Sequence, residues 1–193
     1  MVERCLRTVK MRGRGRLRDR GAALLEFALV APLFFLVVFG GIELGLMFRS
    51  HLALEDMARG AARIASVERS NADADLAILR HISNRSTPLN GDVTRVVIFS
   101  TTSLTDEISE ACRTSGSSRA NECNVYEVGP AGVQEVVAGL EAGVQPEAGL
   151  TFEERSEWSN LGVYVEYDYN FVTGFFDSTT LSSSTIEVVE LNL

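Results

Sequence analysis

Apolar residues along the 193-residue chain are concentrated between positions 22 and 48, where only Glu26 and Glu43 carry charge, and residues 27–42 carry none. At 1.5 Å rise per residue the longer stretch makes a helix of about 40 Å, enough to cross a hydrocarbon core of ~30 Å. The sixteen uncharged residues alone fall short, so the two glutamates are expected near the two interfaces. Pro32 removes one backbone donor and should bend the helix slightly, which membrane helices tolerate when neighbours compensate.

Helical periodicity continues past the apolar stretch. Ala58, Ala61, Ala62 and Ala65 recur at i, i+3, i+4 and i+7 and form a small-residue stripe. On another face Glu55, Arg59 and Arg63 stand four apart, with the acid N-terminal to the bases, which modestly favours a helix. One continuous helix of about 45 residues, ending near positions 66–71, is the simplest account. Within it Gly41 and Gly45 form a small-xxx-small pair where a second helix could approach, although glycine is also common filler in membrane helices.

Farther along, residues 73–83 read as a short helix with Leu76, Leu79 and Ile82 on one side. Thr87-Pro88-Leu89-Asn90-Gly91-Asp92 is a turn signal, and residues 93–101 are a β-branched strand. Residues 103–123 are polar and loop-like, 125–128 make a short strand, and Val133, Val136, Val137 and Leu140 have helical spacing before a glycine-rich loop. Residues 161–173 alternate, with Val163, Val165, Tyr167, Tyr169 and Phe171 facing one way and Glu166, Asp168 and Asn170 the other, the pattern of a half-buried antiparallel strand. Residues 174–184 are expected to be a turn and a Ser/Thr connection, and 186–193 a last strand. The expected fold is α+β: a long N-terminal helix, half transmembrane and half soluble, packed on a small antiparallel sheet in a single-pass membrane protein. Its parts are a basic leader at 1–21, a membrane helix at 22–48, a juxtamembrane continuation at 49–70 and an extracytoplasmic domain at 71–193.

Charge gives this helix a direction. Residues 1–20 hold eight basic residues against Glu3 and Asp19, a net of +6, whereas the remainder has a net of −14. Short Arg-rich arms beside an apolar helix stay cytoplasmic and acidic regions cross freely. A nucleic-acid-binding arm is disfavoured, because no aromatic residue interleaves the arginines and a membrane helix follows at once. A cleaved secretory signal is disfavoured too, since the apolar region is too long and the helix pattern runs well past Gly41.

Cys5 falls in the basic arm. Cys112 and Cys123 close a Ser/Gly/Arg-rich loop that would face an oxidising compartment, which favours a disulfide over free thiols. Neither His51 nor His81 stands at ligand spacing from that pair, so no metal site is expected. No nucleophile elbow, His-Glu-x-x-His or phosphate loop is present, and Gly13-Arg14-Gly15 lacks both a preceding strand and a third glycine. The carboxylates of Glu153, Glu154, Glu157, Glu166 and Asp168 read as a solvated acidic face, and Trp158 as a packing residue. These observations point away from an enzyme and call for no cofactor.

The informative chemistry lies at the head of the helix. A carboxylate close to lipid usually has a partner. If the chain is cut after Gly21, Ala22 gains a cationic amine and Glu26 becomes the fifth residue, one helical turn along. The amine of a neighbouring subunit can then pair with Glu26 when helices pack in staggered register. Gly21-Ala22-Ala23-Leu24-Leu25-Glu26-Phe27-Ala28-Leu29-Val30-Ala31-Pro32, followed by Gly41-Ile42-Glu43-Leu44-Gly45, resembles the TadE-like family, the pseudopilins of Flp or tight-adherence (Tad) pilus and secretion machinery. Met57-Ala58-Arg59-Gly60-Ala61-Ala62-Arg63-Ile64-Ala65 is similar to that family's juxtamembrane helix. The major Flp pilins more often carry Tyr where Phe27 stands, which suits a minor component.

The resemblance covers roughly residues 18–66 and implies a minor pilin-like component required for pilus assembly, adherence and secretion. It implies cleavage of the Gly21–Ala22 bond by a prepilin peptidase, with Glu26 and Phe27 in assembly and Pro32, Gly41 and Gly45 in helix packing. The implied partners are that peptidase, other Tad pseudopilins, inner-membrane platform proteins and the lipid bilayer, with self-association through the N-terminal helix. The implied place is the bacterial inner membrane, N-terminus inside and C-terminal domain periplasmic, with entry into the pilus left open. The alternative is a permanently anchored periplasmic binding module with no role in a pilus.

Overall fold

The structure, a computed structural model, describes residues 15–68, 71–86, 89–141, 149, 160–174 and 177–188, with side chains from Gly21 onward. Expectations for most of the basic arm, for Cys5, Thr87-Pro88, Glu153, Glu154, Glu157 and Trp158, and for the chain beyond residue 188 fall outside the described residues. The chain forms two compact units, Met1–Ile42 and Glu43–Leu193. Its elements in order are α1 (Gly15–Val67), α2 (Ala74–Ser86), β1 (Gly91–Thr101), α3 (Glu110–Thr114), β2 (Cys123–Glu127), α4 (Val133–Glu141), β3 (Asn160–Tyr169) and β4 (Thr179–Val188). A long apolar N-terminal helix and a small antiparallel sheet make the architecture α+β, as the hydrophobic pattern predicts.

In the second unit the strands lie in the order β2-β1-β3-β4, antiparallel throughout. Helical packing covers one face. The alanine stripe of α1 is buried there with Leu54 and Met57, against Ile78, Leu79 and Ile82 of α2 and Val163, Val165, Tyr167 and Tyr169 of β3. Alanines on that stripe let the helix axis come close to its neighbours, because each presents a single methyl. At Gly60 even a methyl has no room, since a Cβ there would run into the imidazole of His81. Asp56 of α1 and Arg85 of α2 add an ion pair at 3.0 Å at the solvent edge of this contact.

The opposite face carries a second, smaller cluster of Val97, Phe99, Cys112, Cys123, Val125 and Tyr164. Ser109 caps α3, accepting the Cys112 N–H on its Oγ. β1 explains how one strand serves two cores. Val93 and Val96 are three residues apart, yet both belong to the helix-side core, which strict alternation forbids. Between Val93 and Arg95 the register with β3 shifts, so that Val93 pairs with Tyr167 and Arg95 with Glu166. Thr94 is the extra residue of a bulge, and it resets the parity of the strand. At the start of β1, Gly91 has φ +147°, and a Cβ there would strike the Asp168 carbonyl, so the Asn90-Gly91 signal marks a position only glycine fills well.

The C-terminal region corrects one expectation. Residues 174–184 are not mainly a connection, because β4 starts at Thr179 and pairs along its length with β3, from Tyr169↔Thr179 to Asn160↔Val188. The polar run Ser182-Ser183-Ser184-Thr185 misleads here, because β4 is an edge strand held along its length by backbone pairing, with Leu181 and Ile186 alone packed against the two clusters. β3 in turn ends at Tyr169, and Phe171 lies beyond it, edge-on to the Tyr169 ring.

Candidate functional site

The residues singled out by the sequence lie on α1. In the first unit its side chains form no core: Phe27 is 66% exposed, Leu29 74%, and Leu33, Phe34, Leu36 and Val37 are similarly open. The apolar stretch is long enough to cross a membrane, and contiguous apolar surface on this scale is rare on monomeric soluble proteins. Gly21 and Ala22 are exposed residues inside the helix rather than in a preceding loop. Glu26 is exposed among apolar neighbours and pairs with no described cation. Pro32 lies within the helix, which continues through it. A Cβ placed on Gly41 or Gly45 would meet open space, so neither glycine is used in packing among the described residues.

Glu43 behaves differently. It lies two residues from each of those glycines, on the other side of the helix, and is 1% exposed. Its Oε1 accepts the backbone N–H of Val172 in the segment after β3. Its Oε2 is buried with no hydrogen-bond partner among the described residues. Hydropathy along the chain sets this carboxylate only against lipid. The signal for its burial is nevertheless present, because Glu43, Leu46, Met47, Ser50, Leu54 and Met57 share one helical stripe, and the buried members of the second unit begin with it.

A second buried carboxylate, which no local pattern in the sequence singles out, anchors α2. Asp75 stands in the first turn of that helix and is 4% exposed. Its Oδ2 accepts hydrogen bonds from Asn124 Nδ2 and Tyr126 Oη, both at 2.6 Å. The positive end of the helix macrodipole favours a negative charge at this place. Cys112 and Cys123 are joined by a disulfide that ties α3 to the start of β2. Glu166 accepts from Thr94 and Tyr164, and Asp168 from Thr180, so these carboxylates are engaged within the sheet. No group of three His, Cys, Asp or Glu side chains able to hold a metal occurs among the described residues.

The structure therefore brings together Glu43 and the strand segment it latches, and leaves Gly21, Ala22, Glu26, Phe27, Pro32, Gly41 and Gly45 on an open helix. That helix presents an open apolar surface long enough to cross a membrane. No curated protein and no solved structure matches the chain. Residues 21–63 match the family model described as TadE-like protein. That match opens at the glycine of the Gly21–Ala22 bond and closes within the alanine stripe, entirely inside α1. The likeness to that family therefore rests on this helix alone, and the chain beyond residue 63 lies outside it.

Proposed function

We propose that the chain is a minor pilin-like component of a Flp/Tad-type pilus, matured by a prepilin peptidase at the Gly21–Ala22 bond and held in the bacterial inner membrane by residues 22–48. The observation that carries this reading is the TadE-like match beginning at Gly21, with Glu26 five residues on. Maturation creates an amine at Ala22, and a neighbouring subunit's Glu26 supplies its counter-charge. A carboxylate in low-dielectric surroundings is costly unless paired, so the contact selects register as well as attracting. The net +6 of the first 20 residues holds them on the cytoplasmic side, and the acidic second unit faces the periplasm. Sister pseudopilins, platform proteins and the peptidase are its partners, and its role is structural rather than catalytic.

The position of the cleavage bond inside α1 adds a requirement. A peptidase must open the helix locally before it can reach the bond. Glycine at 21 makes this easier, as it costs a helix about 1 kcal/mol relative to alanine. N-terminal sequencing of the membrane-bound form tests the reading. Ala22 should be the first residue, and an intact arm running through Arg20-Gly21-Ala22 in cells with active peptidase would refute maturation. Glu26→Ala should insert in the membrane normally yet fail to support pili. Restoration of wild-type piliation by that variant would remove Glu26 from assembly.

A further inference from the structure

We propose that the cavity beside α1, just beyond its apolar stretch, binds the phosphate-bearing headgroup of an anionic membrane phospholipid. The cavity has a volume of about 270 Å³, and its polar lining is Arg49, Ser50, Asp56, Arg85, Asn90 and Tyr169. Every one of these residues belongs to the second unit. The volume is below the ~300–1,000 Å³ usual for a drug-sized ligand or cofactor and suits a compact headgroup.

Charge sets the class of ligand. Two guanidinium groups and one carboxylate give the lining a net charge of +1, the complement of a phosphodiester monoanion. Arg85 already holds Asp56 through Nη1 at 3.0 Å, which leaves its other N–H groups for a second acceptor. Arg49 is exposed and pairs with no described carboxylate. Guanidinium is the side chain best matched to a phosphate, because its planar fork donates two parallel hydrogen bonds. Buried Tyr169 adds a further donor. Its hydroxyl lies near Asn90 without a hydrogen bond of good geometry among the described residues, so an acceptor entering the cavity would satisfy it.

Position along the helix sets the source of that phosphate, and here the inference rests on the reading that the membrane helix, residues 22–48, meets its outer interface near Glu43. Headgroups occupy a layer about 5–8 Å deep on each side of the hydrocarbon. At 1.5 Å per residue, positions 46–50 lie about 6–12 Å along α1 from Ile42. Helical side chains tilt toward the N-terminus, so that of Arg49 leans back toward the bilayer. Position 46 thus falls inside that layer, and Arg49, about 10 Å along, reaches back to it through its long side chain, where lipid is the abundant phosphate.

The full chain, reconstituted into phosphatidylglycerol vesicles, provides the test. Flotation with the vesicles and resistance to alkaline extraction are read first, and loss of both would overturn the membrane reading and the headgroup site with it. With insertion established, native mass spectrometry of released protein should find one phosphatidylglycerol retained per chain. Arg49→Gln should lower that occupancy on the order of tenfold, the effect of losing one good charge-assisted contact, and Arg85→Gln should also lower it. Arg59→Gln, an exposed change elsewhere on α1, should leave it unaltered. Arg49 is exposed and pairs with no described carboxylate, so its variant should keep the wild-type melting profile. Equal lipid retention by Arg49→Gln and wild type, with insertion intact, would overturn the headgroup site alone. Displacement of the lipid by millimolar inorganic phosphate would overturn the lipid as the source of the anion.

Discussion

Replacing Asp75 by alanine should be among the most damaging single changes in the second unit. The carboxylate is 4% exposed and accepts two hydrogen bonds through one oxygen, from Asn124 and Tyr126 across 49 and 51 residues of sequence. A hydrogen bond to a charged group contributes about 1.5–3 kcal/mol. The two bonds share Oδ2 and do not add in full, while the α2 macrodipole adds up to ~1 kcal/mol. Removing the carboxylate also ends its own desolvation penalty, so the expected net loss is about 3–4 kcal/mol. For a folded unit of this size, each kcal/mol moves the melting temperature by about 2–4 °C, which gives a drop of roughly 6–16 °C. Asp75→Asn keeps an acceptor of the same shape and should lose less than half as much. Tyr126→Phe should lose about 1–2 kcal/mol, and combined with Asp75→Ala it should cost much less than the sum of the two. Urea unfolding of the full chain in detergent, followed by circular dichroism, measures all four variants. A loss below ~1 kcal/mol for Asp75→Ala, or strict additivity with Tyr126→Phe, would refute the claim that this carboxylate ties α2 to β2.

Three further expectations use the same unfolding assay. Glu43→Gln retains an acceptor for the Val172 N–H and should stay within about 1 kcal/mol of wild type, whereas Glu43→Ala loses a charge-assisted bond worth about 1.5–3 kcal/mol; equal stability of the two variants would show that the latch contributes nothing. Reduction of Cys112–Cys123, which spans 11 residues, should cost ~3 kcal/mol by loop entropy, with the change in cysteine oxidation read by mass after alkylation. Burial, then the Arg85 charge, lowers the His81 pKa, with Asp56 opposing. The unfolded chain therefore takes up the proton first, so stability should fall as pH drops through about 6.5 and level off below the folded-state pKa. In His81→Gln this component of the pH slope should vanish, and an unchanged slope would assign it to other groups.

Much of this arrangement can be read from local patterns, and the parts that cannot share a cause. The alanine stripe of α1, the apolar side of α2 and the alternation of β3 declare themselves because helix and strand periods recur within a few residues. β4 escapes because the period-2 signal needs apolar residues recurring on one side, and Ser182, Ser183 and Ser184 interrupt it between Leu181 and Ile186. The Asp75 network joins positions about 50 residues apart, and nothing in the neighbourhood of Ala74-Asp75-Leu76 announces Asn124 or Tyr126. Glu43 lies between two frames of reference. Read along the apolar stretch it is a charge close to lipid, whereas read on its helical stripe it is the first residue of a protein core. For the open part of α1 the fold is no guide, since Gly21, Glu26 and their neighbours take no part in this chain's own packing among the described residues.

The bulge in β1 bears on how the strand can change length. Because Thr94 is the one extra residue between Val93 and Arg95 in the pairing with β3, deleting it would leave Val93, Val96 and Ile98 at alternate positions. The interior set would stay interior. A deletion at Val96, with the bulge kept, would instead exchange the two faces beyond it and send Val97 and Phe99 toward the helices. β1 thus holds one step, Thr94–Arg95, where the chain can shed a residue at the cost of local twist, while the identity of every buried side chain survives.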